Sequence, residues 1–231
     1  MSMPFGYVPV EQRTKEMADY ARKGIARGRP LVVLEYTGGI VFVADNPSTH
    51  LHKIAELYDR IAFAAVGRFS EFENLRQAGV RLADIRGYAY GREDVTSRSI
   101  ANAYSQTLGQ IFIQEFKPYE VELCVAEVGA DGGANALYHI VFDGTVIERE
   151  GFLAMGGQSD EMNAELQRGY EEGMDLDASL RLAVRALRQA AQPGETGSRL
   201  EVAVLERDRA RRSFRRLSQE DVASRTAEPA P

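Results

Sequence analysis

The sequence predicts an α+β fold, a four-layer α-β-β-α sandwich, and three observations carry that prediction. Strand-like and helix-like segments occur in clusters rather than in alternation, which argues against a parallel sheet of βαβ units. The segments "LVVLEY" and "IVFVAD" are apolar at nearly every position, as strands covered on both faces are. The helical segments come as two pairs, and one pair on each outer face of two stacked sheets hides both sheets. A length of 231 residues suits one large domain with a multilayer core.

The elements follow in order. Residues 1–8 contain proline and glycine without periodicity and read as a mobile arm. From Val10 to about Arg27 the pattern is helical, with Met17, Tyr20, Ala21 and Ile25 on one face; Gly28 and Pro30 stop it. The stretch "RPLVVLEYTGGIVFVADNPST" (29–49) is two strands over a Gly-Gly turn. "HKIAEL" and "IAFAAVG" form two more strands around "YDR". The period then changes. Ser70 to about Tyr90 places Phe72, Leu75, Leu82, Ile85 and Ala89 at helical intervals, and Thr96–Phe116 does the same with Ile100, Ala103, Leu108, Ile111 and Phe112. Asp94 or Thr96 caps the second of these helices, and the two form an antiparallel pair.

Strands return in "YEVELCVAEVG", "ALYHIVF", "TVIERE" and "GFLAMG", with a hairpin signal at Asp143–Gly144. A helix is expected over Asp160–Tyr170 and another from an Asp175 N-cap through Leu176, Leu180, Val184 and Leu187. "RLEVAVLE" is a last central strand, and "SFRRLSQEDV" a short strand with a final helical turn. Residues 9–222 thus form one domain, and 223–231 a polar, Pro-ended disordered tail.

Composition narrows the function. The formal net charge is −6, which gives the surface no general attraction for nucleic acid or anionic lipid. One cysteine, Cys124, excludes an internal disulfide framework, and its strand setting makes it a small buried hydrophobe. No apolar run has the length of a membrane span, and the first residues lack a signal-peptide core, so a cytoplasmic location is expected. His50 and His52 share a strand face without an evident third ligand, so no metal or other cofactor is expected. The arginine-rich stretch Arg207–Arg216 reads as intersubunit ion pairs or a solvated face. "MGGQSD" reads as a tight strand-to-helix turn.

The segments "LEYTGGIVFVAD", "HKIAELYDRIAFAAVG", "GYAY", "KPYEVELCVAEVG" and "AMGGQSDEMNAEL" together resemble the proteasome core-particle family, whose fold is of the N-terminal-nucleophile hydrolase type. The resemblance covers about Glu11 to Leu217. "ARKGIARGRP" and the wording around Lys53 look like the α-type subunits of actinobacteria. In the family's catalytic β-type subunits a threonine opens the first strand, and its free amine is the general base. Registering on "GGIVFVAD" puts Arg29 in that place, and a guanidinium has no lone pair to attack with. A helix also precedes it, so no amine is free there unless residues 1–28 are removed. Thr37 lies mid-hairpin, and cleavage before Thr145 would cut the fold in two.

The resemblance implies a non-catalytic subunit of a heptameric outer α-ring, stacked on a β-type ring and gating its peptidase chamber. Lys53 then receives the C-terminal carboxylate of an AAA ATPase activator in a pocket between neighbouring α subunits, with Gly67 lining it. The arm Met1, Ser2, Met3, Pro4, Phe5, Gly6, Tyr7 and Val8 closes the axial pore, and the substrates are proteins marked by the small protein Pup. Asp45 resembles the acid of the catalytic subunits, while "ADNPS" by itself explains it as a strand-ending Asx turn. A proteolytically matured amidohydrolase, a catalytic proteasome-type subunit and a self-assembling scaffold remain as alternatives.

Overall fold

A computed structural model describes residues 9–130, 132–190, 199–209 and 212–227; the arm Met1–Val8 lies outside the described residues. Helix α1 (Val10–Ala26) precedes two hairpins, β1 (Leu31–Tyr36) with β2 (Gly39–Asp45) and β3 (Ile54–Tyr58) with β4 (Ile61–Gly67). Helices α2 (Phe69–Ala89) and α3 (Ser97–Gln114) follow. Then come β5 (Val121–Glu127), β6 (Ala136–Ile140), β7 (Val146–Arg149) and β8 (Phe152–Met155). Helices α4 (Ser159–Gly169) and α5 (Leu176–Ala190), strands β9 (Leu200–Glu206) and β10 (Phe214–Arg216), and helix α6 (Gln219–Thr226) complete the order.

Two five-stranded antiparallel sheets stack face to face, in the orders β10-β9-β2-β1-β8 and β3-β4-β5-β6-β7. Strand β2 shows why its sequence is apolar throughout. Ile40, Phe42 and Ala44 point into the core between the sheets, and Val41 and Val43 point outward beneath Leu180, Ala183 and Leu187 of α5. On the other sheet Cys124 and Ala126 face inward while Leu123 and Val125 pack under Phe72, Leu75, Ile100 and Leu108. The layers are therefore α-β-β-α, as expected.

Several ends are fixed by the residues foreseen for them. The Thr96 hydroxyl accepts from the Ser99 amide at 3.3 Å and starts α3, and Asp175 Oδ1 accepts from the Ala178 amide at 2.7 Å and starts α5. Three readings need correction. The inward face of α2 is Phe72, Leu75, Gly79 and Ala83, leaving Ile85 and Ala89 exposed, because Gly79 lets the helix lie close against Tyr104 of α3 and Leu57 of β3. Tyr20 is exposed beside the buried Met17, Ala21 and Ile25. Helix α6 runs to Thr226, past the expected domain edge at Val222, because a Ser218–Asp221 capping box opens it and its own Val222 joins the core that α5 covers.

Helix α1 belongs to neither outer pair. It lies across the end of the sandwich, where Ala21 and Ile25 join the core between the sheets. No helix among the described residues is long and apolar enough to cross a membrane.

Candidate functional site

The head of β1 is where a hydrolase of this shape would carry its nucleophile. Here the chain enters from α1 through Gly28, so the Arg29 nitrogen is an ordinary peptide nitrogen. The Arg29 guanidinium donates to Asp45 Oδ2 at 2.9 Å, across the hairpin, and the Asp45 amide donates to the Pro30 carbonyl at 3.1 Å. Asp45 is the last residue of β2 and is buried. Its carboxylate is thus an ion-pair partner for Arg29 through Oδ2.

Lys53 approaches the same point from the second sheet. Its ammonium donates to the Arg29 carbonyl at 2.6 Å. Burial pushes its pKa down to about 8; the Asp45 and Glu201 carboxylates oppose the shift and the Arg29 charge adds to it. The Lys53 backbone is held as well, since its carbonyl accepts from the Ala65 amide at 3.0 Å and its amide donates to Glu201 Oε2 at 2.9 Å. Glu201 escaped the sequence reading. The one signal was a carboxylate at the apolar start of β9, and it did not say which partner the carboxylate meets.

Gly67 ends β4 with φ at +106°, a conformation that side chains other than glycine's rarely adopt. A Cβ there would sit 1.9 Å from the Glu120 carbonyl oxygen, so only glycine fits. Gly67 also reaches the end of α1: a Cβ on Gly28 would meet the Gly67 nitrogen at 3.0 Å. The Gly28–Arg29 step therefore touches both Gly67 and the Lys53 ammonium, and the two residues singled out from sequence share one neighbourhood.

Beside Gly67 stands a charge cluster that the sequence reading missed, because its members are scattered along the chain. Arg68 donates to Glu120 Oε1 at 2.6 Å, and Lys117 lies 2.8 Å from Glu71 and 2.9 Å from Glu120. Glu71 Oε2 also accepts from the Glu120 amide at 2.7 Å. The Glu120 side chain fills the space beside Gly24 of α1, where a Cβ would lie 2.0 Å from its Oε2. Lys117 lies over the Tyr20 ring at 5.8 Å, which accounts for that residue's outward position.

The remaining candidates are structural. Thr37 donates to the Gly173 carbonyl at 2.7 Å, and Thr145 sits in the β6–β7 turn, its amide donating to Asp143 Oδ1 at 2.8 Å. His52 Nδ1 lies 3.2 Å from Glu201. Arg207, Arg209, Arg212, Arg215 and Arg216 make contacts within the chain, to Gly133, Glu206, Glu56 and Glu201, and Arg209 and Arg212 stay exposed, as the solvated-face alternative has it.

Comparison with known proteins identifies the family. The family model "Proteasome subunit" matches residues 25–205. A protein named "Proteasome subunit alpha" from Thermomonospora curvata is 59% identical over 94% of each chain. One of the same name from Kineococcus radiotolerans is 58% identical over 94% of this chain and 95% of its own. Another from Parafrankia is 52% identical over 100% of this chain and 99% of its own. With its strand-head arginine, stacked sheets and near full-length likeness to these relatives, the chain belongs to the proteasome subunit family.

Proposed function

We propose that this chain is a non-catalytic α subunit of a bacterial proteasome core, forming a heptameric outer ring that guards the chamber of a β-type ring. The observation that carries the reading is Arg29 at the head of β1, tied to Asp45 and entered from a packed helix. Peptide cleavage then belongs to the β-type partner, and this chain excludes folded proteins from the chamber. The complex works in the cytoplasm on proteins marked with Pup.

Exposed apolar residues support assembly. Ile85, Tyr88 and Tyr90 stand out at the far end of α2, with Tyr88 96% exposed. Ile113 and Phe116 stand out at the end of α3, with Phe116 95% exposed. Because Lys117, just past α3, returns to Glu71 in the first turn of α2, these groups lie at opposite ends of one helical layer. Surfaces of this kind mark contacts with other subunits.

Lys53 and Gly67 are the docking elements for the C-terminal tails of an AAA ATPase, with the Lys53 ammonium meeting the terminal carboxylate. Docking displaces the arm Met1–Val8 from the pore. Electron microscopy of the chain assembled with its β-type partner tests the reading: a seven-fold ring capping a second ring is expected, and a chain that stays monomeric beside every such partner would refute it. Removing residues 1–8 speeds hydrolysis of a fluorogenic peptide by the reconstituted core, and an unchanged rate removes the gate from the proposal. Arg29→Thr creates no peptidase activity in the isolated chain, because α1 still occupies the amine; labelling of that variant by a peptide epoxide would contradict this.

A further inference from the structure

We propose that Glu201 is a positioning residue for Lys53, reaching from one sheet to the other to hold the start of β3 so that the lysine ammonium points at the Arg29 carbonyl. The inference rests on the docking role given to Lys53 above and extends it to a residue 148 positions away.

The Glu201 side chain is 9% exposed and both of its oxygens are used. Oε2 accepts from the Lys53 amide at 2.9 Å and from Asn46 Nδ2 at 2.7 Å. Oε1 accepts from the Ile54 amide at 3.3 Å, lies 3.2 Å from His52 Nδ1, and pairs with the Arg216 guanidinium. Arg216 also donates to the Ile54 carbonyl, so β9 and β10 of one sheet grip the first residues of a strand in the other. Asn46 adds a bond to the Leu51 carbonyl at 2.7 Å and closes the loop that leads into Lys53.

A carboxylate offers about four lone-pair sites. Here they are taken by backbone amides, Asn46 and Arg216, and the Lys53 ammonium is bonded to the Arg29 carbonyl. Glu201 therefore acts on Lys53 through its backbone, fixing where the stem begins. Arg216 neighbours Glu201 in the same sheet and reaches the other sheet only at the Ile54 carbonyl; the Glu201 bonds to the Lys53 and Ile54 amides are what set the start of the lysine.

Glu201→Gln separates the two roles in the assembled core. The amide keeps the volume but turns a donor toward one of the amides it now accepts from, and the grip is lost. The readout is the pH profile of Lys53 acetylation by acetic anhydride, followed by mass spectrometry. The wild-type midpoint is about 8, set by burial. If Glu201 positions Lys53, the released lysine moves into water and its midpoint rises toward the ordinary 10.5. If Lys53 stays in place regardless, loss of a nearby negative charge lowers the midpoint, and a fall or no change overturns the proposal. Glu201→Asp keeps the charge while withdrawing the oxygens from the β3 amides, and its midpoint rises as well; it carries the same test should the glutamine variant not assemble.

A second arm uses a synthetic peptide of the ATPase tail with a free C-terminal carboxylate as stimulant. Glu201→Gln reduces stimulation about tenfold, as expected for loss of one charge-assisted hydrogen bond, and adds nothing in a Lys53→Ala background. A further loss in that background overturns the proposal. If Lys53→Ala leaves the response to the peptide intact, it is the docking role that fails, and the acetylation profile alone decides the positioning role.

Discussion

On the proposed docking role, Lys53→Ala weakens the stimulation of the reconstituted core by an ATPase activator at least tenfold without abolishing it, measured as the ratio of activated to unactivated peptide hydrolysis for the same variant. Removing one partner of a half-buried charged pair costs about 2–5 kcal/mol, so the tail binds at least tenfold more weakly. Arginine does not restore the function, because its planar fork is longer and broader than the ammonium that fits beside the Arg29 carbonyl. The effect also has a pH signature. A lysine whose pKa is held down to about 8 is cationic below that value and neutral above it. Attraction for a carboxylate is therefore present below about pH 8 and falls roughly tenfold per pH unit above it. An activator affinity that is the same for Lys53→Ala and wild type, or flat from pH 7 to about pH 9.5, would remove Lys53 from the docking surface.

Gly67→Ala destabilises the fold by about 3 kcal/mol or more, through two additive causes. Its φ of +106° is strained for any residue with a Cβ. That Cβ would also lie 1.9 Å from the Glu120 carbonyl oxygen, a backbone atom that cannot swing aside. Relief requires opening the end of the β4–β5 ladder, where Gly67 faces Val121 and the Arg68 amide donates to the same carbonyl at 2.9 Å. For a domain of this size the melting temperature drops by about 6–12 °C. Thermal unfolding of the isolated chain checks this, and a drop under about 2 °C would mean that the strand end relaxes freely. The same substitution disturbs the Arg68–Glu71–Lys117–Glu120 cluster, and with it the packing of α1 at Gly24.

What the sequence disclosed followed from periodicity. Alternation hidden within fully apolar strands such as β2 signalled cover on both faces, and the caps Thr96 and Asp175 marked helix starts correctly. The inward face of α2 was misread because Leu82 and Ile85 are larger and more apolar than Gly79 and Ala83, yet the helix sits so close to Tyr104 that only small residues fit beneath it. That closeness is a property of tertiary packing. The site was legible in part for a similar reason. Arg29, Asp45, Lys53 and Gly67 lie in or beside two consecutive hairpins, but it was the resemblance to the proteasome family, and no local pattern, that singled out Lys53 and Gly67. Glu201 and the Glu71–Glu120 pair arrive from distant segments, and no local pattern connects them to Lys53 or Gly67.

The insertion of Ala21 and Ile25 between the sheets has a consequence for maturation and evolution. Trimming the leader to expose a new terminal amine at the first strand would also withdraw Ala21 and Ile25 from the core between the sheets and open that end of the sandwich to water. On the proposed non-catalytic role, a point change at position 29 leaves the strand head covered by the helix, and trimming by a protease removes part of the core with it. The helix that covers the head of the first strand is thus also part of what keeps the protein folded.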